Sequence, residues 1–160
     1  MLFAKKQKSF YSVCNGKSIP LSEMPDEAMA QGLLGVGFAV EPWDGLICSP
    51  VDGRVETVAE SKHAYSILTD DGLEILVHIG VDTVGLKGEG FLPRVREGDY
   101  VKAGDPIAEA DLEIIRAHAL SPTVAVIVTN PERMERVEYH FGESKLGTSV
   151  VMLCRVCRKG

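Results

Sequence analysis

No apolar run in this chain approaches the ~18 residues that a membrane span requires. The best stretches, such as residues 124–128, are only strand-length. Cysteine is scarce: Cys14, Cys48, Cys154 and Cys157 are too few and too irregularly spaced for a disulfide framework. Cys154-Arg155-Val156-Cys157 has C-x-x-C spacing, but no second pair or nearby downstream histidines accompany it, as a zinc site would want. The pair also falls in a strand-like run in which positions i and i+3 face opposite sides. These thiols therefore read as reduced and structural, in a cytoplasmic protein. There is no basic excess either. The chain has 17 Lys and Arg against 23 Asp and Glu, net −6, with the charges interspersed, which argues against a nucleic-acid surface. Lys5, Lys6 and Lys8 lie near the start without an apolar segment behind them, so residues 1–10 do not read as a secretory signal.

What is present is ordinary globular material. The 160 residues are 45% hydrophobic and 25% charged, enough for one domain with a core of its own. Short apolar runs recur about every 8–15 residues, separated by turn chemistry such as Pro50-Val51-Asp52-Gly53, Asp70-Asp71-Gly72 and Ala103-Gly104-Asp105-Pro106. That texture predicts an all-β chain, a sandwich or barrel. Two short helices are expected, over 23–31 with Ser22 as cap and Gly32 as stop, and over 112–120 with Asp111 as cap. No linker or low-complexity block divides the chain. A single domain over 1–160 is expected, with residues 1–12 as a flexible extension. The segments around Ser49–Val55 and Val95–Asp105 resemble the hammerhead strands of biotinyl and lipoyl carrier domains, but no modifiable lysine stands on a tight hairpin.

The informative segment is Leu73-Glu74-Ile75-Leu76-Val77-His78-Ile79-Gly80-Val81-Asp82. Alternation puts Leu73, Ile75, Val77, Ile79 and Val81 on one face as a core stripe. Glu74, Leu76, His78, Gly80 and Asp82 share the other, with Gly80 expected to leave room for an approaching group. His63 lies in the preceding run, before the turn at Thr69-Asp70-Asp71-Gly72, so the two runs read as a hairpin. With the turn centred between Asp70 and Asp71, His63 faces His78 with Cβ atoms about 4.5–5.5 Å apart. A turn at Asp71-Gly72 leaves the histidines diagonal on one face, and only an odd-length loop would separate them. His118 and His140 have no comparable partner. A solvated outer-face histidine is the plain alternative for His78 considered alone.

Two facing imidazoles can share a metal, act as an acid and base, or form one nucleophile supported by the other. A zinc hydrolase needs a third ligand, and the only nearby carboxylates, Glu74 and Asp82, form no ligand motif. At most, His63 and His78 would capture zinc opportunistically when a partner lends a carboxylate. A phosphoryl carrier needs less: a neutral ring nitrogen, donors for the transferred oxygens and an apolar rim for docking. Ser61 and His63 can supply the donors. Leu76 is an apolar rim candidate, unless a loop or helix covers it.

Residues 72–84, Gly-Leu-Glu-Ile-Leu-Val-His-Ile-Gly-Val-Asp-Thr-Val, resemble the phosphorylation-site signature of the glucose-type enzyme IIA of the bacterial phosphoenolpyruvate:sugar phosphotransferase system. Lys62-His63-Ala64-Tyr65-Ser66 is similar to its second-histidine segment. Ser49–Gly53, Leu86–Phe91 and Gly104-Asp105 match further landmarks in the same order. The resemblance implies a distorted antiparallel β-sandwich or flattened barrel, a duplicated hybrid motif with one or two short helices. It implies that His78 takes a phosphoryl group from HPr and passes it to a cysteine of a IIB domain, with His63 in support, Ser61 as the accompanying hydroxyl and no cofactor. It places Leu76, Gly80, Asp82, Val36 and Phe38 at the partner-binding surface. Val36 stands where the family often has Asp, Leu76 where it often has Phe, and Ala59 where an aromatic can occur. These departures point to an acidic collar resting on Asp82 alone and to a smaller docking patch. A regulator that binds partners on the same fold is the alternative function.

Overall fold

The computed structural model describes residues 7–118 and 120–157. Its strands are β1 (Gln7–Tyr11), β2 (Gly16–Pro20), β3 (Val36–Pro42), β4 (Leu46–Cys48), β5 (Gly53–Val58), β6 (Ala64–Leu68), β7 (Glu74–Ile79), β8 (Phe91–Pro93), β9 (Tyr100–Val101), β10 (Pro106–Ala110), β11 (Val124–Val128), β12 (Met134–Tyr139), β13 (Gly142–Ser144) and β14 (Val150–Val156). Two short helices join them, α1 (Glu27–Ala30) and α2 (Leu112–Ala117). The strands form an eight-stranded sheet, ordered β13-β2-β3-β11-β7-β6-β5-β9, and two three-stranded sheets, β1-β14-β12 and β4-β10-β8. The pairings are antiparallel and the sheets do not close into a barrel. Among the described residues no helix is long and apolar enough to cross a membrane.

The centre of the large sheet is β11, whose Val-Ala-Val-Ile-Val run is buried at every position. Such a run has two apolar faces, because alternate side chains leave a strand in opposite directions. Val124, Val126 and Val128 join Ile75, Val77 and Ile79 of β7 and Phe38 and Val40 of β3 in the main core. Ala125 and Ile127 point the other way. They join Ala39, Ile19, Val81, Met24 and Met29 in a second, smaller cluster, with Leu76 half-buried against it. One sheet thus carries a thick core on its inner face and a thin apolar layer on its outer face.

Two expectations change. Residues 7–11 are not a flexible extension: β1 pairs with β14, and Phe10 is sealed in the main core, so its burial anchors the strand. Residues 1–6 of that expected extension lie outside the described residues. The first helix starts later than Ser22, because Pro25 disfavours helical backbone at the residue before it. Asp26 becomes the cap, its carboxylate accepting from the Met29 N–H at 3.0 Å. The second helix begins as expected, with the Asp111 side chain accepting from the N–H groups of Glu113 and Ile114. Cys14, Cys48 and Cys154 are buried, and burial pushes the thiols of Cys48 and Cys154 up to about 11.

Candidate functional site

The site begins with the β6–β7 hairpin. Leu68 pairs with Glu74 and Ala64 with His78, so the loop between them has an odd length. Thr69 sets that loop: its N–H donates to the Leu73 carbonyl at 3.0 Å, and its hydroxyl oxygen accepts from the Leu73 N–H at 2.9 Å. Ala64, not His63, therefore stands opposite His78. The histidines meet nonetheless. β6 starts only at Ala64, and just before it Lys62 adopts left-handed backbone, φ 62°. That kink frees His63 from the sheet's alternation. Its ring meets that of His78 edge-on, centroids 4.9 Å apart at an interplanar angle of 84°.

Backbone then fixes the state of His78. Its Nδ1 lies 2.8 Å from the Gly80 carbonyl oxygen. A carbonyl can only accept, so Nδ1 carries the proton and Nε2 keeps its lone pair. Burial holds the His78 pKa below the usual imidazole value, while the Gly80 carbonyl, Asp26 and Asp82 pull less strongly upward. Burial also lowers the pKa of His63, helped by His78, with the Ser61 carbonyl acting the other way. Two neutral imidazoles at neutral pH follow. His63 is 8% exposed, and its Nδ1 is buried without a hydrogen bond of regular geometry.

The other expected site residues divide. Ser61 sits half-buried just ahead of His63, Asp82 is exposed beside the histidine strand, and Leu76 shares the His78 face. Val36 is 37% exposed at the edge of the outer layer, next to Leu33 and Leu34. Phe38 does not belong to any partner surface: it is fully buried in the main core, on the inward-facing set of β3. Gly80 is also buried, and the room expected above it is already filled. With φ at 82°, a Cβ there would come within 2.5 Å of Thr83 Cγ2 and 2.9 Å of the Ser121 carbonyl oxygen. Its contribution is its own carbonyl.

Asp26 is the residue that sequence reasoning missed. Its negative charge acts on His78 together with that of Asp82, where Asp82 alone was expected. The signal was Pro25-Asp26 ahead of a short helical run, a capping pattern hidden by the choice of Ser22. Among the described residues no three His, Cys, Asp or Glu side chains converge to hold a metal ion. A cleft of about 710 Å³ lined by Trp43, Phe91, Leu92 and Leu112 shares no residue with the histidine pair. The histidines lie outside that cleft, His63 buried and His78 half-buried.

Comparison with known proteins gives consistent matches over most of the chain. The family model described as phosphoenolpyruvate-dependent sugar phosphotransferase system, EIIA 1, matches residues 8–134. The chain is 38% identical over 152 residues to the PTS system glucose-specific EIIA component of Halalkalibacterium halodurans, covering 94% of this chain and 88% of that protein. It is 43% identical over 136 residues to the glucose-specific EIICBA component of Streptococcus pneumoniae, covering 85% of this chain and 19% of that longer protein. Its fold is similar to that of the glucose permease IIA from Mycoplasma capricolum, with a TM-score of 0.89, 36% identity, and coverage of 96% of this chain and 99% of that one.

Proposed function

Since the chain belongs to the EIIA 1 family of the phosphoenolpyruvate-dependent sugar phosphotransferase system, a family of phosphoryl carriers, we propose that Nε2 of His78 is the atom that carries the phosphoryl group. The observation that carries this reading is the 2.8 Å contact between His78 Nδ1 and the Gly80 carbonyl. With the proton held at Nδ1, the lone pair of Nε2 attacks phosphorus as the bond from phosphorus to the donor HPr breaks. No proton has to leave the ring on acceptance. On delivery the nitrogen–phosphorus bond breaks as a sulfur–phosphorus bond forms on a cysteine of a IIB domain, and the lone pair returns to Nε2.

His63 is the supporting group. Its ring edge, 4.9 Å centroid to centroid from His78, is placed to hold phosphoryl oxygens, and Ser61 offers a hydroxyl from the same turn. Charge stabilisation and positioning supply most of what phosphoryl transfer requires. Leu76 and the exposed Leu33, Leu34 and Val36 form the apolar part of the docking face, with Asp26 and Asp82 as its acidic part. The EIICBA relative, in which the matching segment is one part of a longer chain, supports a IIB domain as the acceptor. HPr and a permease both meet the protein on the cytoplasmic side in this reading.

The test is incubation with phosphoenolpyruvate, enzyme I and HPr, followed by mass measurement of the intact protein. A gain of one phosphoryl group in the native chain and none in His78→Ala is expected. Undiminished labelling of His78→Ala would move the site elsewhere.

A further inference from the structure

We infer that Thr83 is a positioning residue for the phosphoryl-accepting nitrogen: its hydroxyl anchors the Ile79–Gly80 backbone so that the Gly80 carbonyl holds the Nδ1 proton of His78. The inference rests on His78 being the acceptor.

The hairpin ladder gives out at this point. The described pairing of β6 with β7 ends at Ala64 and His78, and one last bond runs from the Ile79 N–H to the His63 carbonyl at 2.7 Å. The Ile79 carbonyl instead accepts from the Thr83 hydroxyl, and Thr83 is fully buried. Beyond it the backbone turns sharply, with Gly80 at φ 82° and Asp82 at φ 59°. The Gly80 N–H donates to the Thr123 carbonyl at 3.0 Å, and the Val81 N–H to the Ser121 carbonyl at 2.9 Å. Those two bonds tie the N–H side of the turn to the chain entering β11 and leave the Ile79 carbonyl to be held from the other side. The Thr83 hydroxyl fixes it there, while its methyl group packs over Gly80 where a Cβ would clash.

A side chain that touches neither phosphoryl group nor partner thus reaches the chemistry through one carbonyl. Without the hydroxyl, the Ile79 carbonyl loses its buried donor and the turn is held only by its two N–H bonds, which leaves it room to tilt. The Gly80 oxygen then drifts from Nδ1, and the imidazole samples the other tautomer, in which Nε2 carries the proton and cannot attack. Misplacement of a reacting group on the scale of an ångström costs up to about 10²-fold in rate.

The experiment compares Thr83→Val, Thr83→Ala and Thr83→Ser in the full chain. It measures ¹⁵N chemical shifts of the His78 ring in the unphosphorylated protein, phosphoryl acceptance from phospho-HPr, and thermal melting. Whichever of the hydroxyl-free variants remains folded should show His78 nitrogen shifts moving toward a tautomer mixture and acceptance slowed about tenfold. Thr83→Ser should restore the wild-type shifts and a rate within about twofold, because it restores the donor. Wild-type His78 shifts in a folded Val or Ala variant would overturn the inference, as would a failure of Ser to rescue. The ring shifts are read without any transfer. Failure of the native chain to be labelled at His78 would therefore refute the acceptor assignment separately.

Discussion

The two faces of the eight-stranded sheet are built from the same strands by opposite choices of side chain. On the inner face β7 and β11 contribute Ile75, Val77, Ile79, Val124, Val126 and Val128, branched residues that fill the main core. On the outer face Ala125 stands beside His78, and Ala39 stands beside Ala125 on the next strand. Large branched side chains bury area and hold the strands in register. Small ones keep the outer layer thin, so that His78 can lie low in an apolar surface and still meet a partner. The inner face makes the fold and the outer face makes the chemistry, and one strand supplies both by alternation.

That division can be broken from either side. The largest effect is expected inside: Val126→Asp should unfold the domain, since it buries an unpaired carboxylate in the main core, and loss of the folded circular dichroism signal checks it. Next is His63→Gln, which should still accept phosphate but deliver it to the IIB cysteine on the order of 10²-fold more slowly, as for loss of one charge-stabilising donor. Single-turnover transfer separates the two steps, and unchanged delivery would make His63 a spectator. Leu76→Asp should lose most transfer from phospho-HPr while costing only about 1 kcal/mol, because Leu76 is half-buried against the outer cluster. A melt showing collapse instead would place Leu76 in the core.

The smallest effect is the pH response. Both histidines have pKa values lowered by burial, so the unfolded chain takes up protons at a higher pH than the folded one. Stability should be flat above about pH 6.5 and fall as the pH drops below it. Acceptance should likewise persist at full rate down to about pH 6.5, since the neutral ring is the nucleophile. Denaturant melts between about pH 5 and 8 test this, and replacing both histidines by Gln should flatten the curve.

Alternation made the core stripe of Leu73, Ile75, Val77 and Ile79 legible in the sequence, but not Val81, which the turn at Gly80 sends to the outer cluster, and the turn residues made the hairpin legible. The loop length was not. An odd loop would normally separate two residues to opposite faces, and Thr69 builds an odd loop here. The histidines meet because Lys62 takes a left-handed conformation, a choice that a lysine in sequence does not announce. Phe38 was misplaced for a related reason: in a strand with two apolar faces, composition does not say which face is the core. Asp26 was hidden because its effect on His78 comes through the cap of a helix distant in sequence.

In the proposed transfer the Gly80 carbonyl keeps the His78 proton on Nδ1 and so presents Nε2 to phosphorus. The most direct test is ¹⁵N and ³¹P NMR of the phosphorylated native chain with labelled histidine. Nitrogen–phosphorus coupling at Nε2 of His78, with Nδ1 still protonated, is the expected result. Phosphorus bonded to Nδ1 of His78, or to either nitrogen of His63, would contradict it.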